Sequence, residues 1–136
     1  KKSNVSLLMN KTYDLLSVAS AALVTSGTAT LETALFNVPE VVCYKGSTIS
    51  YEIAKRVINL DYISLVNLIM DKEVVKELIQ HDFNVKNLKA ELSKILDEKH
   101  REQLFEDYKL LRQKLGGTGA SQNTAQLIYK KIKSDA

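Results

Sequence analysis

The chain has 136 residues, 45% of them hydrophobic and 26% charged, with a formal net charge of +3. A chain of this length buries about 70% of its unfolded surface, and this composition belongs to one ordinary globular domain rather than a disordered or fibrous protein. Lysines and glutamates alternate along helical segments instead of forming a basic stripe with interleaved aromatics, which excludes nucleic acid as the partner class. The single cysteine, Cys43, leaves no intrachain disulfide and sits in an apolar run as a small buried hydrophobe. His81 and His100 lie among charged residues, and no His/Cys/Asp spacing resembles a metal site, so no metal is expected. No apolar run reaches the ~18 residues of a spanning helix, and no signal peptide is visible. The location read from this is cytoplasmic. The chain starts at Lys1 without Met and reads as a piece of a longer protein.

In chain order, Val5–Met9 reads as a buried strand and Lys11–Ala19 as a short helix with Asn10 at its N-cap. Ala21–Thr25 is a second strand. Ala29–Phe36 is a helix whose Leu31, Ala34 and Leu35 share a face, stopped by Asn37 and Pro39. Glu40–Lys45 is a third strand, Ser50–Ile58 a helix and Tyr62–Val66 a fourth strand. Strand and helix alternate about every ten residues, which argues for an α/β Rossmann-like parallel sheet flanked by helices. From Glu73 onward the reading is helical only: Glu73–Gln80, Val85–Leu96, Glu98–Leu115 and Ser121–Lys133. The whole chain, 1–136, is thus one domain, with an alternating part over 1–70 and a mostly helical part over 71–136.

In parallel sheets ligands bind beyond the carboxyl ends of the strands. That rule points to 26–28, 44–47 and Asn67. The stretch Ser26-Gly27-Thr28-Ala29-Thr30-Leu31-Glu32 places hydroxyls and a glycine at a strand-to-helix turn. The first N–H groups of a helix lack internal partners and carry partial positive charge. A phosphate fits there, and Gly27 lets it approach the backbone. Glu32 lies one turn beyond Thr28 and could accept hydrogen bonds from vicinal hydroxyls, as on a ribose. The competing reading is an ordinary helix start, with Ser26 or Thr28 as cap and Glu32 complementing the dipole.

The glycine-rich 116–121 segment follows a long helix rather than a strand, so it reads as a C-cap at Gly116 or Gly117 and an N-cap at Ser121. Asn67 could bind a sugar hydroxyl or a base edge, or serve as a turn residue. Glu77 and Gln80 share a helix face in this reading and could line the same cleft. Lys45 and Lys55 could neutralise phosphate, and Tyr44, Tyr51 or Tyr62 could stack on a base. Solvated lysines and core tyrosines are the competing readings.

Taken together, 19–45, 54–69, 76–80 and 115–121, in that order, resemble the C-terminal half of the lipid-A-disaccharide synthase family, and the resemblance runs from about Val5 to Ile132. It implies the nucleotide-sugar half of a two-domain GT-B enzyme whose N-terminal acceptor domain, with the general base, is absent from this chain. The implied reaction is inverting transfer of 2,3-diacylglucosamine from UDP-2,3-diacylglucosamine to lipid X, giving lipid A disaccharide 1-phosphate and UDP. It implies no metal or other cofactor, and a peripheral location on the inner face of the cytoplasmic membrane. On this resemblance Ser26, Gly27, Thr28 and Ala29 hold the diphosphate and Glu32 holds the ribose. Asn67 makes a donor or catalytic contact, and Gln80 lies in a further substrate-binding motif. The family's proline before that asparagine is Val66 here, which leaves the loop less stiff. Two alternatives stay open: another UDP-sugar enzyme, such as a 2-epimerase or a different glucosaminyltransferase, and a non-catalytic helical module that forms a homodimer.

Overall fold

A computed structural model of the chain describes residues 4–25, 27–46 and 61–116. The helices expected over Ser50–Ile58 and Ser121–Lys133, together with Ser26, Tyr51, Lys55 and 117–121, lie outside the described residues. The described elements are α1 (Thr12–Val18), β1 (Ala22–Val24), α2 (Thr28–Leu35), β2 (Glu40–Tyr44), α3 (Leu65–Met70), β3 (Lys76–Ile79), a 3₁₀ turn (Gln80–Asp82), α4 (Val85–Leu96) and α5 (Glu98–Leu115).

The sheet is parallel in the order β1-β2-β3. Val24 pairs with Val42, and Tyr44 with Ile79. The central strand β2 is apolar on both faces, as a strand covered twice must be. Val42 joins Ala34, Val66, Met70, Val75, Tyr108 and Leu111 in one core, under α2, α3 and α5. Val41 and Cys43 join Leu78 and Ile95 in a second core, under α4. The result is the α/β layering expected for a Rossmann-like domain.

Local signals account for most helix ends. Asn37 adopts a left-handed conformation (φ 61°), its N–H reaches the Ala34 carbonyl, and the Val38 N–H reaches that of Thr33. This is the Schellman arrangement. Asn84 and Asp97 cap α4 and α5 through their side chains. Gly116 ends α5 with φ 64° and donates to the Arg112 carbonyl, so this glycine caps a helix as expected. At α1 the N-cap is Lys11 rather than Asn10, and no side chain bonds to the helix start.

Three expected elements are corrected. Val5–Met9 is not a strand: it lies outside the sheet, with Leu7 87% exposed. A short apolar run becomes a buried strand only where a neighbour offers a ladder, and among the described strands none pairs with it. Tyr62–Val66 is not a strand either. Ser64 caps α3, and the Ile63 and Ser64 N–H groups are taken by the Glu77 carboxylate instead of a ladder. The place beside β2 belongs to Lys76–Ile79, read from the sequence as part of a helix over Glu73–Gln80.

Candidate functional site

Three residues, 25–27, separate the end of β1 from the start of α2, at the carboxyl edge of the sheet. Its N-cap is Gly27, at φ 108° and ψ −160°, and among the described residues no side chain caps the helix. That backbone region is open almost only to glycine. Among the described residues a Cβ built on Gly27 would meet nothing within 4 Å. The Gly27 carbonyl is held from the helix side by the Thr30 N–H at 3.2 Å and the Thr30 hydroxyl at 2.9 Å. In a planar trans peptide C=O and N–H point in opposite directions. The Thr28 N–H is therefore directed away from the helix, toward the open side. Ala29 follows it in the first turn, and Thr28 is exposed. The N-cap is thus Gly27 rather than Thr28. Gly27→Ala should destabilise the domain by about 1–3 kcal/mol through the backbone conformation alone, while the exposed Thr28→Ala changes stability little. Denaturant melts of the two variants check this.

Glu32 is half-buried on α2. With Asn10, Lys11, Thr12, Tyr13 and Asp14 it lines a cleft of about 460 Å³ between α2 and the start of α1. Tyr13 stacks on Phe36 with ring centroids 5.4 Å apart, which pins α1 to the end of α2.

Gln80 follows β3 at the same carboxyl edge. Its Oε1 accepts from the Gly46 N–H at 2.9 Å, joining the exits of β2 and β3. Gly46 itself sits under the Tyr44 ring, where an added Cβ would meet the tyrosine oxygen at 2.6 Å. Tyr44 and Tyr62 are half-buried, and Lys45 is exposed. Cys43 is buried, and burial pushes its thiol up, away from reactivity.

Asn67 lies in α3, not at a strand end, and is 0% exposed. Its Oδ1 accepts from the Val74 and Val75 N–H groups at 2.8 and 3.0 Å. Its Nδ2 donates to the Val75 carbonyl at 2.8 Å and to Glu77 Oε2 at 2.9 Å. An amide has two donor hydrogens and two acceptor sites, and all four are used inside the protein. In this arrangement the Asn67 amide splices α3 to the lead into β3. Glu77 and Gln80 do not share a helix face. Glu77 stands on β3 and faces Asn67, and Gln80 follows the strand and faces Gly46.

Sequence reasoning passed over Thr30 as a working residue. Its hydroxyl lies between the Gly27 carbonyl and the Leu65 N–H, the latter at 3.3 Å. The available signal was its place as the last hydroxyl in the 26–30 run. Among the described residues no group of three or more His, Cys, Asp or Glu side chains could hold a metal ion. No described helix is long and apolar enough to cross a membrane.

Known proteins resemble this chain in sequence. The chain is 43% identical to the lipid-A-disaccharide synthase of Syntrophus aciditrophicus over 130 residues, which is 95% of this chain and 34% of that protein. It is 34% identical to the enzyme of the same name from Geobacter sulfurreducens, again over 95% of this chain and 34% of the relative. For the Hahella chejuensis enzyme the identity is 41%, over 93% of this chain and 33% of the relative. The chain thus spans about a third of the length of the curated relatives it matches. The model of the family described as lipid-A-disaccharide synthetase matches residues 1–132, nearly the whole chain, and the chain belongs to that family.

Proposed function

We propose that this chain is the donor-binding domain of a glycosyltransferase that moves 2,3-diacylglucosamine from UDP to lipid X, forming lipid A disaccharide 1-phosphate and UDP. The observation that carries this reading is the start of α2 at Gly27, with its positive φ and, among the described residues, no capping side chain and no atom within 4 Å of an added Cβ. Negative charge grows on the diphosphate as it leaves the sugar. Backbone N–H groups fixed before the reaction stabilise such charge without reorganising, and the first turn of a helix adds its partial positive charge. In this reading Ser26, Gly27, Thr28 and Ala29 face the diphosphate, and no metal is required. The Glu32 carboxylate takes two ribose hydroxyls in the cleft beside α1. Gln80 fixes the neighbouring loop at Gly46 and offers its Nε2 to the donor. Asn67 serves the site from inside, by holding α3 in place. The acceptor and the general base belong to a further domain, and the complete enzyme works as a peripheral protein on the inner face of the cytoplasmic membrane.

A UDP titration followed by backbone amide NMR, with uridine and UMP alongside, tests this reading. Shifts centred on Gly27–Glu32, larger for UDP than for uridine, are expected. Equal responses to UDP and uridine, or none, would remove the diphosphate site. Glu32→Gln keeps one acceptor oxygen and loses the charge. It should weaken UDP binding about tenfold, the effect of losing roughly one charge-assisted hydrogen bond. Its thermal midpoint should not move, because Glu32 lies at the open cleft beside α1 rather than in the core.

A further inference from the structure

We infer that Glu77 is a positioning residue for the start of α2, acting through a chain of hydrogen bonds that begins on the central sheet. The link to ligand binding rests on the donor-site reading above. The Glu77 carboxylate projects from β3 and accepts from the Ile63 N–H at 2.9 Å, the Ser64 N–H at 3.2 Å and Asn67 Nδ2 at 2.9 Å. These three donors fix the segment that leads into α3. The first residue of that helix, Leu65, donates its N–H to the Thr30 hydroxyl, and this hydroxyl donates to the Gly27 carbonyl. The Gly27–Thr28 peptide is thereby oriented from behind by a relay that reaches from β3.

A carboxylate suits this post. Three N–H donors converge on it, and hydrogen bonds to an ionised acceptor are about twice as strong as neutral ones. A strand of the sheet is also a rigid base for it, and sites held by such outer supports keep their geometry better than sites carried by loops alone. The partners of Glu77 all lie behind the open face. Its effect on a ligand is indirect, through the direction of the Thr28 N–H.

Glu77→Gln tests the relay, because an amide turns one acceptor into a donor facing three donors. Amide hydrogen exchange on the ligand-free chain should quicken at Ile63–Leu65 and also at Thr30, whose N–H is held by the Gly27 carbonyl, while α4 and α5 keep their protection. A purely structural loss would raise exchange throughout and lower the thermal midpoint in proportion. UDP affinity should fall about five- to tenfold with uridine affinity unchanged. If Glu77→Gln does not fold, Thr30→Val cuts the same relay one link further on. It should quicken exchange at position 30 and at Leu65, and leave Ile63 and Ser64 protected. Unchanged exchange at the position-30 amide in whichever variant folds would overturn the inference, whatever UDP does. If the unsubstituted chain gives no UDP response while the exchange pattern appears, the donor-site reading fails and the relay stands.

Discussion

Asn67→Ala should destabilise the domain by about 2–5 kcal/mol, the sum expected for two or more buried polar groups stripped of partners. The Asn67 side chain closes a knot within a few residues: it accepts from Val74 and Val75, and donates to Val75 and Glu77. Alanine leaves the Val75 N–H and carbonyl without the amide and takes one donor from Glu77. The Val74 N–H keeps the Lys72 carbonyl at 3.0 Å, so the loss concentrates on Val75 and Glu77. Val75 is itself in the core beneath α2 and α3, where water cannot replace the amide. Asn67→Asp should be no better than alanine near neutral pH. It keeps the acceptors but sets a second carboxylate against Glu77. Urea denaturation of the three proteins checks both statements. A mutant with unchanged midpoint and slope would show that the amide contributes nothing to the fold, and would return Asn67 to the role of a ligand contact.

The second large effect runs the other way. Glu40→Met should stabilise the domain by about 1–3 kcal/mol near neutral pH, the usual penalty of a buried polar group without a partner. Glu40 opens β2 and is 0% exposed, and among the described residues neither carboxylate oxygen finds a hydrogen-bond partner. It borders a cavity of about 180 Å³ at the amino edge of the sheet, on the opposite side from the Gly27 turn. Glu73, Lys76, Glu91, Lys94 and His100 also line that cavity. Lys94 is engaged with Glu91 at 2.9 Å, and Lys76 lies 3.9 Å from Glu73, so the nearby lysines answer other carboxylates. Nearby, the Tyr108 hydroxyl donates to the Val38 carbonyl at 3.0 Å. Burial pushes that phenol up, and a charge on Glu40 pushes it further in the same direction.

Burial raises the Glu40 carboxyl well above its ordinary value of 4.5. The sign of the pH dependence follows. Below about 4.5 the carboxyl is protonated in both folded and unfolded chains, and it exerts no pH-dependent penalty. Above that value the unfolded chain ionises while the folded chain stays neutral, so stability falls as pH rises. The fall ends only when pH passes the raised folded value. The advantage of Glu40→Met should therefore grow from about pH 4 toward neutral and alkaline pH, and thermal melts across that range measure it. A difference between the two proteins that stays constant with pH would mean that Glu40 is already ionised in the fold.

The sequence by itself determined the elements whose signals are local. The caps Asn84, Asp97 and Gly116 bracket α4 and α5, and both helices stand where the sequence places them. The unit β1-α2-β2 was equally legible, because a glycine turn, an apolar helix face and the Asn37 stop follow one another without help from distant residues. The Gly27 turn could be singled out for the same reason. Tertiary structure alone decided the region from Tyr62 to Gln80. Two short apolar runs compete there, 62–66 and 74–79, and runs of that length carry no decisive period. Only one can lie beside β2. Lys76–Ile79 takes the place, and Glu77, carried into position by that strand, draws the Ile63 and Ser64 N–H groups away from any ladder. The same choice turns Asn67 inward. Val5–Met9 shows the converse: its apolar pattern suits a strand, and no described strand offers it a ladder. Burial of Glu40 was likewise invisible in one dimension, since it arises where β2 meets α4 and α5. A local pattern can say what a segment is able to become, but which hydrogen-bond partners reach it depends on residues tens of positions away.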